Sequence, residues 1–298
     1  MLAGVLSYFL YTSISLFDHT HAFVSSAIGI VQPVLIFSML LLTFLKISPR
    51  DLKFQRWHLY GILLQTSLFV LCALLVKMLP DSHWNIVVEG GMLCLICPTA
   101  TAAAVVTGKL GGNQASLTTY TILINLVVAV VVPAIVPWMH PDGEMSFVRN
   151  ATTILGKVFP LLFCPFLASM AIRRFLPRLA KALCSVKDLA FYLWAVALAL
   201  AIAVTARSIV HTDCPWIFQL GIAGSSLIAC VIQFGFGRWM GRHYGEPVTV
   251  AQSLGQKNTV FAIWMGYTFM TPVTSIAGGF YSVWHNVYNS YQLAKKER

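Results

Sequence analysis

Apolar stretches long enough to cross a membrane recur from one end of this chain to the other, separated by short polar links. A helix needs about 20 residues to span the hydrocarbon core of a bilayer. Ten candidate spans follow, at approximately residues 2–17, 23–45, 58–79, 84–110, 114–138, 147–172, 185–210, 216–240, 247–270 and 272–293. Two of them are interrupted. In the fourth, Cys97-Pro98-Thr99 breaks the run, because Pro98 lacks a backbone donor and crowds the preceding turn. In the ninth, the polar run Gln252-Ser253-Leu254-Gly255-Gln256-Lys257-Asn258-Thr259 occupies the middle, and Gly255 permits a non-helical backbone there. A kink at Pro98 alone would be unremarked in a helical bundle. Two breaks at corresponding spans, one carrying a lysine, point to something more.

Five spans precede the polar link His140–Glu144 and five follow it, so two repeats over residues 1–139 and 145–298 would be inserted with opposite orientation. Inverted repeats with discontinuous helices near the midplane are a common design of secondary carriers. Irregular backbone at membrane depth survives only where protein or a watery cavity satisfies it. The expected fold class is therefore an all-α polytopic membrane protein, a single unit over residues 1–298, whose broken fourth and ninth helices cross.

Composition sharpens this picture. The chain is 58% hydrophobic and 10% charged, which leaves no room for a soluble domain. Its net charge of +10 would suit nucleic acid, but the distribution argues otherwise. With the N-terminus placed on the cytoplasmic side, the inward links and the C-terminus hold Lys46, Arg50, Lys53, Arg56, Lys109, Arg173, Arg174, Arg178, Lys181, Lys187, Arg238, Arg242, Lys295, Lys296 and Arg298. The outward side holds only Lys77, Arg149 and Arg207. This is the positive-inside bias. It predicts a multi-pass protein of the cell (inner, cytoplasmic) membrane with both termini cytoplasmic, and no nucleic-acid partner. The seven cysteines are scattered without a zinc or redox spacing, so no metal site is expected. The first span lacks a basic leader and reads as a retained helix rather than a signal peptide.

Against this background a few polar residues stand out. A cation at the centre of a membrane helix costs roughly 2.5–3.5 kcal/mol on insertion scales, so Lys257 should face a cavity or neutralise something; snorkelling to the interface is the alternative. Glu89, just before Gly90-Gly91, could pair with a lysine, carry protons or contact the cavity, or lie solvated near the interface. Lys157 could snorkel or face the cavity. On the tenth span His285 and Asn289 share a face beside Asn286, either bonding neighbouring helices or lining a substrate path. Thr99, Thr101, Gln256, Asn258 and Thr259 flank the two breaks. Half-helix N-termini beyond them would offer positive dipole ends and free N–H groups to an anion.

Several of these segments resemble the bile acid:sodium symporter family. They are Ile36-Phe37-Ser38-Met39-Leu40-Leu41-Leu42-Thr43, Ser48-Pro49-Arg50-Asp51-Leu52, Gly61-Ile62-Leu63-Leu64-Gln65, and Cys97-Pro98-Thr99-Ala100-Thr101-Ala102-Ala103-Ala104 followed by Gly111-Gly112-Asn113. Ser253-Leu254-Gly255-Gln256-Lys257-Asn258 falls where that family has Glu-x-Gly-x-Gln-Asn. The resemblance implies a core domain (about 58–138 and 216–293) moving against a panel domain (about 2–45 and 147–210), alternating access of a small organic anion, and two sodium sites beside the crossover.

The departures from that pattern carry the mechanism. The family's shared glutamate is Ser253 here, its Ser-Asn pair is Ala103-Ala104, and a hydroxyl of the fifth span is Leu117, although Thr121 retains one. At the second site Gln65 remains, while its glutamine partner is Lys257. Two unit charges about 4 Å apart repel by roughly 4 kcal/mol at an effective dielectric near 20, which would weaken a cation site about a thousandfold. The chain therefore reads as a bacterial-type, divergent member: a non-enzymatic secondary transporter of a small organic anion, without sodium or other cofactor. Lys257 takes the ion's place near Gln65, and proton exchange is one option for coupling. A conventional sodium symporter is the runner-up. An intramembrane lipid-modifying enzyme using Glu89, Lys257 and His285, and a non-transporting sensor, stand further off, since neither a catalytic motif nor a signalling domain supports them. Its surroundings are the lipid bilayer, and it is a monomer or an oligomer whose order the sequence leaves open.

Overall fold

In the computed structural model, residues 2–14, 20–79, 82–140, 146–186 and 189–297 are described. Residues 15–17 of the first expected span, 141–145 of the central link, Lys187 and Arg298 lie outside them. The described residues form helices and no β-strand beyond one isolated bridge. In order they are α1 (Leu2–Ser13), α2 (His21–Lys46), α3 (Arg56–Met78), α4 (Asn85–Ile96), α5 (Ala103–Lys109), α6 (Gln114–Met139), α7 (Phe147–Phe175), α8 (Pro177–Ser185), α9 (Leu189–Val210), α10 (Trp216–His243), α11 (Pro247–Gly255), α12 (Thr259–Phe269) and α13 (Pro272–Glu297).

Six of these helices, α2, α3, α6, α7, α9 and α10, are long and apolar enough to cross a membrane, and α1, α4 and α12 are shorter apolar helices. The fourth and ninth expected spans are each two half-helices, too short alone. The tenth, α13, has 26 residues but carries polar Ser282, His285, Asn286 and Asn289 along its length. The seventh expected span began at Ser185, which is the last residue of α8, a separate helix opened by Pro177 in its first turn. Pro177 suits that place because its missing N–H would have no helical partner there.

The helices pack as one connected bundle, in which α6 lies against α7 and α9 against α12 and α13. α1 packs on α9, and α2 packs on α7, α8 and α9. α4 packs on α3, α10 and α13; α10 also packs on α11 and α13, and α12 on α13. Exposed leucines, isoleucines, valines and aromatics such as Phe23, Ile30, Leu71, Phe175 and Val231 ring the outside. A protein in water would hide such residues; in lipid their exposure carries no penalty.

Polar links close the two ends of the bundle. At one end Gln55 Nε2 donates to Glu246 Oε1 at 3.0 Å, Asn113 Nδ2 donates to the same oxygen at 3.4 Å, and Lys296 Nζ donates to the Lys109 carbonyl at 2.7 Å. At the other, Lys77 Nζ donates to the Trp138 carbonyl at 3.2 Å. Gln55 and Lys77 lie at opposite ends of α3, and Asn113 and Trp138 at opposite ends of α6, so these links alternate between the two ends as successive crossings require.

Candidate functional site: the crossing of two broken helices

α4 stops at Ile96 because Pro98 cannot continue it, and α11 stops at Gly255, where any Cβ would collide with the Phe234 ring. The freed backbones pair with each other. Thr99 and Lys257 form an antiparallel bridge. The Ala100 N–H donates to the Gln256 carbonyl and the Asn258 N–H to the Pro98 carbonyl, both at 2.8 Å. Side chains complete the joint: Thr99 Oγ1 donates to the Ser253 carbonyl at 2.7 Å and the Cys97 thiol to the Asn258 carbonyl at 2.9 Å. Buried backbone groups must find partners; here each break satisfies the other.

Beside the joint is a small void of about 20 Å³, room for roughly one water, lined by Thr101, Gln256, Lys257, Asn258, Thr259, His285 and Asn286 together with Met39 of α2 and Trp194 of α9. Seven expected site residues from both breaks and the tenth span are thus brought to one place. The remaining expected residues lie elsewhere. Thr99 is in the joint itself. Asn289 accepts from Gln252 Nε2 at 3.0 Å, a helix-to-helix bond, while its own Nδ2 is buried without a partner among the described residues.

Polar atoms around this void are left over. Lys257 Nζ, Asn258 Nδ2, Gln256 Oε1 and His285 Nδ1 are buried without a hydrogen-bond partner among the described residues. Lys257 is 1% exposed, which rules out snorkelling. The titratable side chains nearest to it in effect are the neutral thiols of Cys97, Cys94 and Cys230, with no carboxylate among them. No hydrogen bond joins Lys257 to Gln65. Gln65 Nε2 donates to the Leu95 carbonyl at 2.8 Å, and its Oε1 accepts from Tyr120 Oη. The C-terminal ends of α4 and α11 both abut the joint, and their partial negative charge favours a cation there.

At the positions that the resemblance assigned to sodium, Ala103, Ala104 and Leu117 form, with Ala100, a small apolar cluster. Ser253 Oγ is turned back onto the Thr249 carbonyl at 2.8 Å, and Thr121 Oγ1 onto the Leu117 carbonyl at 3.0 Å.

Glu89 is not part of this site. It is 4% exposed, its Oε1 lies 3.2 Å from His140 Nε2, and its Oε2 accepts from Thr274 Oγ1 at 3.3 Å. It borders a separate, open cavity of about 710 Å³ near the Lys77 end. Lys157, on the exposed side of α7, holds its ammonium 5.6 Å from the centre of the Phe269 ring.

Sequence reasoning missed several contributors. Tyr281 Oη donates to the Gly255 carbonyl at 2.7 Å, which ties down the end of α11, and accepts from Gln233 Nε2 at 3.1 Å. Its place one turn before His285, on the same face, was the available signal. Trp194 and Met39 gave none, being apolar residues in apolar helices.

A family model for SBF-like CPA transporters matches residues 5–295, nearly the whole chain. The chain belongs to the SBF-like CPA transporter family. It is a membrane-embedded, multi-pass transporter, as the resemblance to bile acid:sodium symporters implied, and nothing in the match sets it apart as a divergent member of the SBF-like CPA transporters. No curated protein matches it.

Proposed function

We propose that this chain is a secondary transporter that moves a small organic anion by alternating access, with the Lys257 ammonium standing where related carriers bind sodium. The carrying observation is a buried, unpartnered ammonium at the meeting of two broken helices. A lone buried charge is costly and persists where it meets a counter-charge during function. The N-terminus of α12, beginning at Thr259 beside Lys257, adds partial positive charge to the same void. Thr101, Asn258, His285 and Asn286 would orient the anion.

The proposed architecture is ten crossings in two inverted five-helix repeats, 1–139 and 145–298, with α4–α5 and α11–α12 as the crossing pair. α1, α2, α7 and α9 form the panel, and α3–α6 with α10–α13 form the core. The grouping is supported by the void's position, where core residues meet Met39 and Trp194; α6 packs on α7 across the boundary between the groups. At about 20 Å³ that void is closed to any organic anion, so the panel residues must withdraw for substrate to bind. We place the protein in the cell membrane with both termini cytoplasmic, on the charge bias of its links.

Sodium independence is favoured over sodium symport by the apolar cluster and the inward-turned hydroxyls. The lipid-enzyme reading required Glu89, Lys257 and His285 to converge, and Glu89 borders a different cavity. The test is uptake of labelled taurocholate and of smaller carboxylates by proteoliposomes, with sodium and pH gradients imposed separately. Uptake unchanged when choline replaces sodium is the expected result. Several-fold stimulation by an inward sodium gradient would overturn the role given to Lys257, and no uptake of any anion would overturn the substrate class.

A further inference from the structure

The cavity of about 710 Å³ near the Lys77 end holds the one carboxylate placed inside an apolar half-helix. Glu89 is buried, with both oxygens engaged: Oε1 by His140 Nε2 at 3.2 Å and Oε2 by Thr274 Oγ1 at 3.3 Å. His140 caps α6, outside the membrane-spanning segments, and its side chain is 41% exposed, so the pair joins a buried carboxylate to a ring that water reaches. We propose that Glu89 and His140 form a proton-binding site, filled from this cavity, whose occupancy ties the transporter to the pH on the cavity's side of the membrane. This deepens the transporter reading above and rests on it.

The choice of partner carries the argument. A purely structural clamp on Glu89 would be served best by lysine or arginine, which stay charged. Histidine is the side chain whose charge switches near neutral pH. The groups facing the pair are few among the described residues. Lys77 on α3 lies close enough to act against a charge on His140, while His83 and Cys214 line the cavity from the link before α4 and the link before α10. Thr271 and Thr274 contribute no charge. The hydrogen bond from the ring to Glu89 outweighs these opposing effects and raises the His140 pKa above its ordinary value.

The pair is also mechanically placed. Glu89 is eight residues before Cys97 on α4, about 12 Å at 1.5 Å per residue. Thr274 is on α13, the helix that presents His285 and Asn286 to the void. Losing the proton leaves a buried carboxylate without its counter-charge, at the point where α4, α13 and the end of α6 meet. That penalty falls if the end of α6 shifts and water enters from the cavity, which gives the proton leverage over the two helices that shape the crossing.

The test uses full-length protein reconstituted in lipid, with nitrogen-labelled histidine followed by NMR as a function of pH. The His140 signal, assigned by its loss in His140→Gln, should titrate with a midpoint above the ordinary 6.5. It should fall to or below that value in Glu89→Gln, where burial and Lys77 act unopposed; Glu89→Asp, a shorter acid, should lower it partway if Glu89→Gln does not fold. A midpoint at or below the ordinary value, or one indifferent to both substitutions, would overturn the site. In proteoliposomes held at equal pH inside and out, taurocholate uptake should follow the same midpoint and become flat in His140→Gln. A flat profile in the unsubstituted protein would overturn the tie to transport. A raised midpoint with no uptake of taurocholate or smaller carboxylates would uphold the proton site and overturn the organic-anion reading instead.

Discussion

Lys257, in the role proposed for it, trades stability for transport. Its ammonium is 1% exposed and has no partner among the described residues, so removing the charge removes a desolvation penalty without breaking a pair. Lys257→Met should therefore leave the melting temperature unchanged or raise it, with a gain of up to about 3 kcal/mol, while anion uptake falls at least about tenfold. A large drop in melting temperature, read by thermal unfolding in detergent, would mean that the ammonium is a structural partner instead. His140 behaves in the opposite sense. A group whose folded pKa is raised contributes stability that is fully present below its unfolded value and disappears as pH rises through the folded value. The melting temperature of the unsubstituted protein, compared with His140→Gln, should thus show its advantage below pH 6.5 and lose it on going to neutral and mildly alkaline pH. An advantage that grows with pH would contradict the ion pair.

The broken helices depend on close approach between elements. A Cβ on Gly237 would come within 2.8 Å of the Ala251 Cα and the Val250 carbonyl, so α10 can lie against α11 only while position 237 has no side chain. Gly237→Ala should force the two helices apart at a cost of roughly 1–3 kcal/mol and reduce uptake, because α11 leads into the second break. Gly235, on the same helix with nothing within 4 Å, is the matched control. Gly235→Ala should be neutral or stabilising by up to about 1 kcal/mol, as measured by thermal unfolding. This is also the scale at which the sequence was most legible. Pro98, Gly255 and Lys257 each violate what an apolar helix requires, so both breaks and most of the void's lining could be located from the sequence. The pairing of Glu89 with His140, the Tyr281–Gln233 brace and the closure by Trp194 could not. Each depends on which helices meet, and nothing about His140 or Trp194 in sequence distinguishes a partner from an ordinary loop histidine or a lipid-facing indole.

At the scale of the molecule, the chain is a membrane transporter whose helices leave at the crossing a void too small for the substrate proposed. In the proposed cycle Met39 and Trp194 would withdraw from the crossing, and the inner polar atoms left without partners are those the anion would satisfy. The proposed cycle runs without sodium, since the positions that would ligate it hold an apolar cluster, two hydroxyls that donate within their own helices, and an ammonium. The most direct test is binding of radioactive sodium to the purified protein, with unlabelled sodium as competitor. The account predicts no saturable, competed binding; saturable sodium binding at millimolar concentration or below would contradict it.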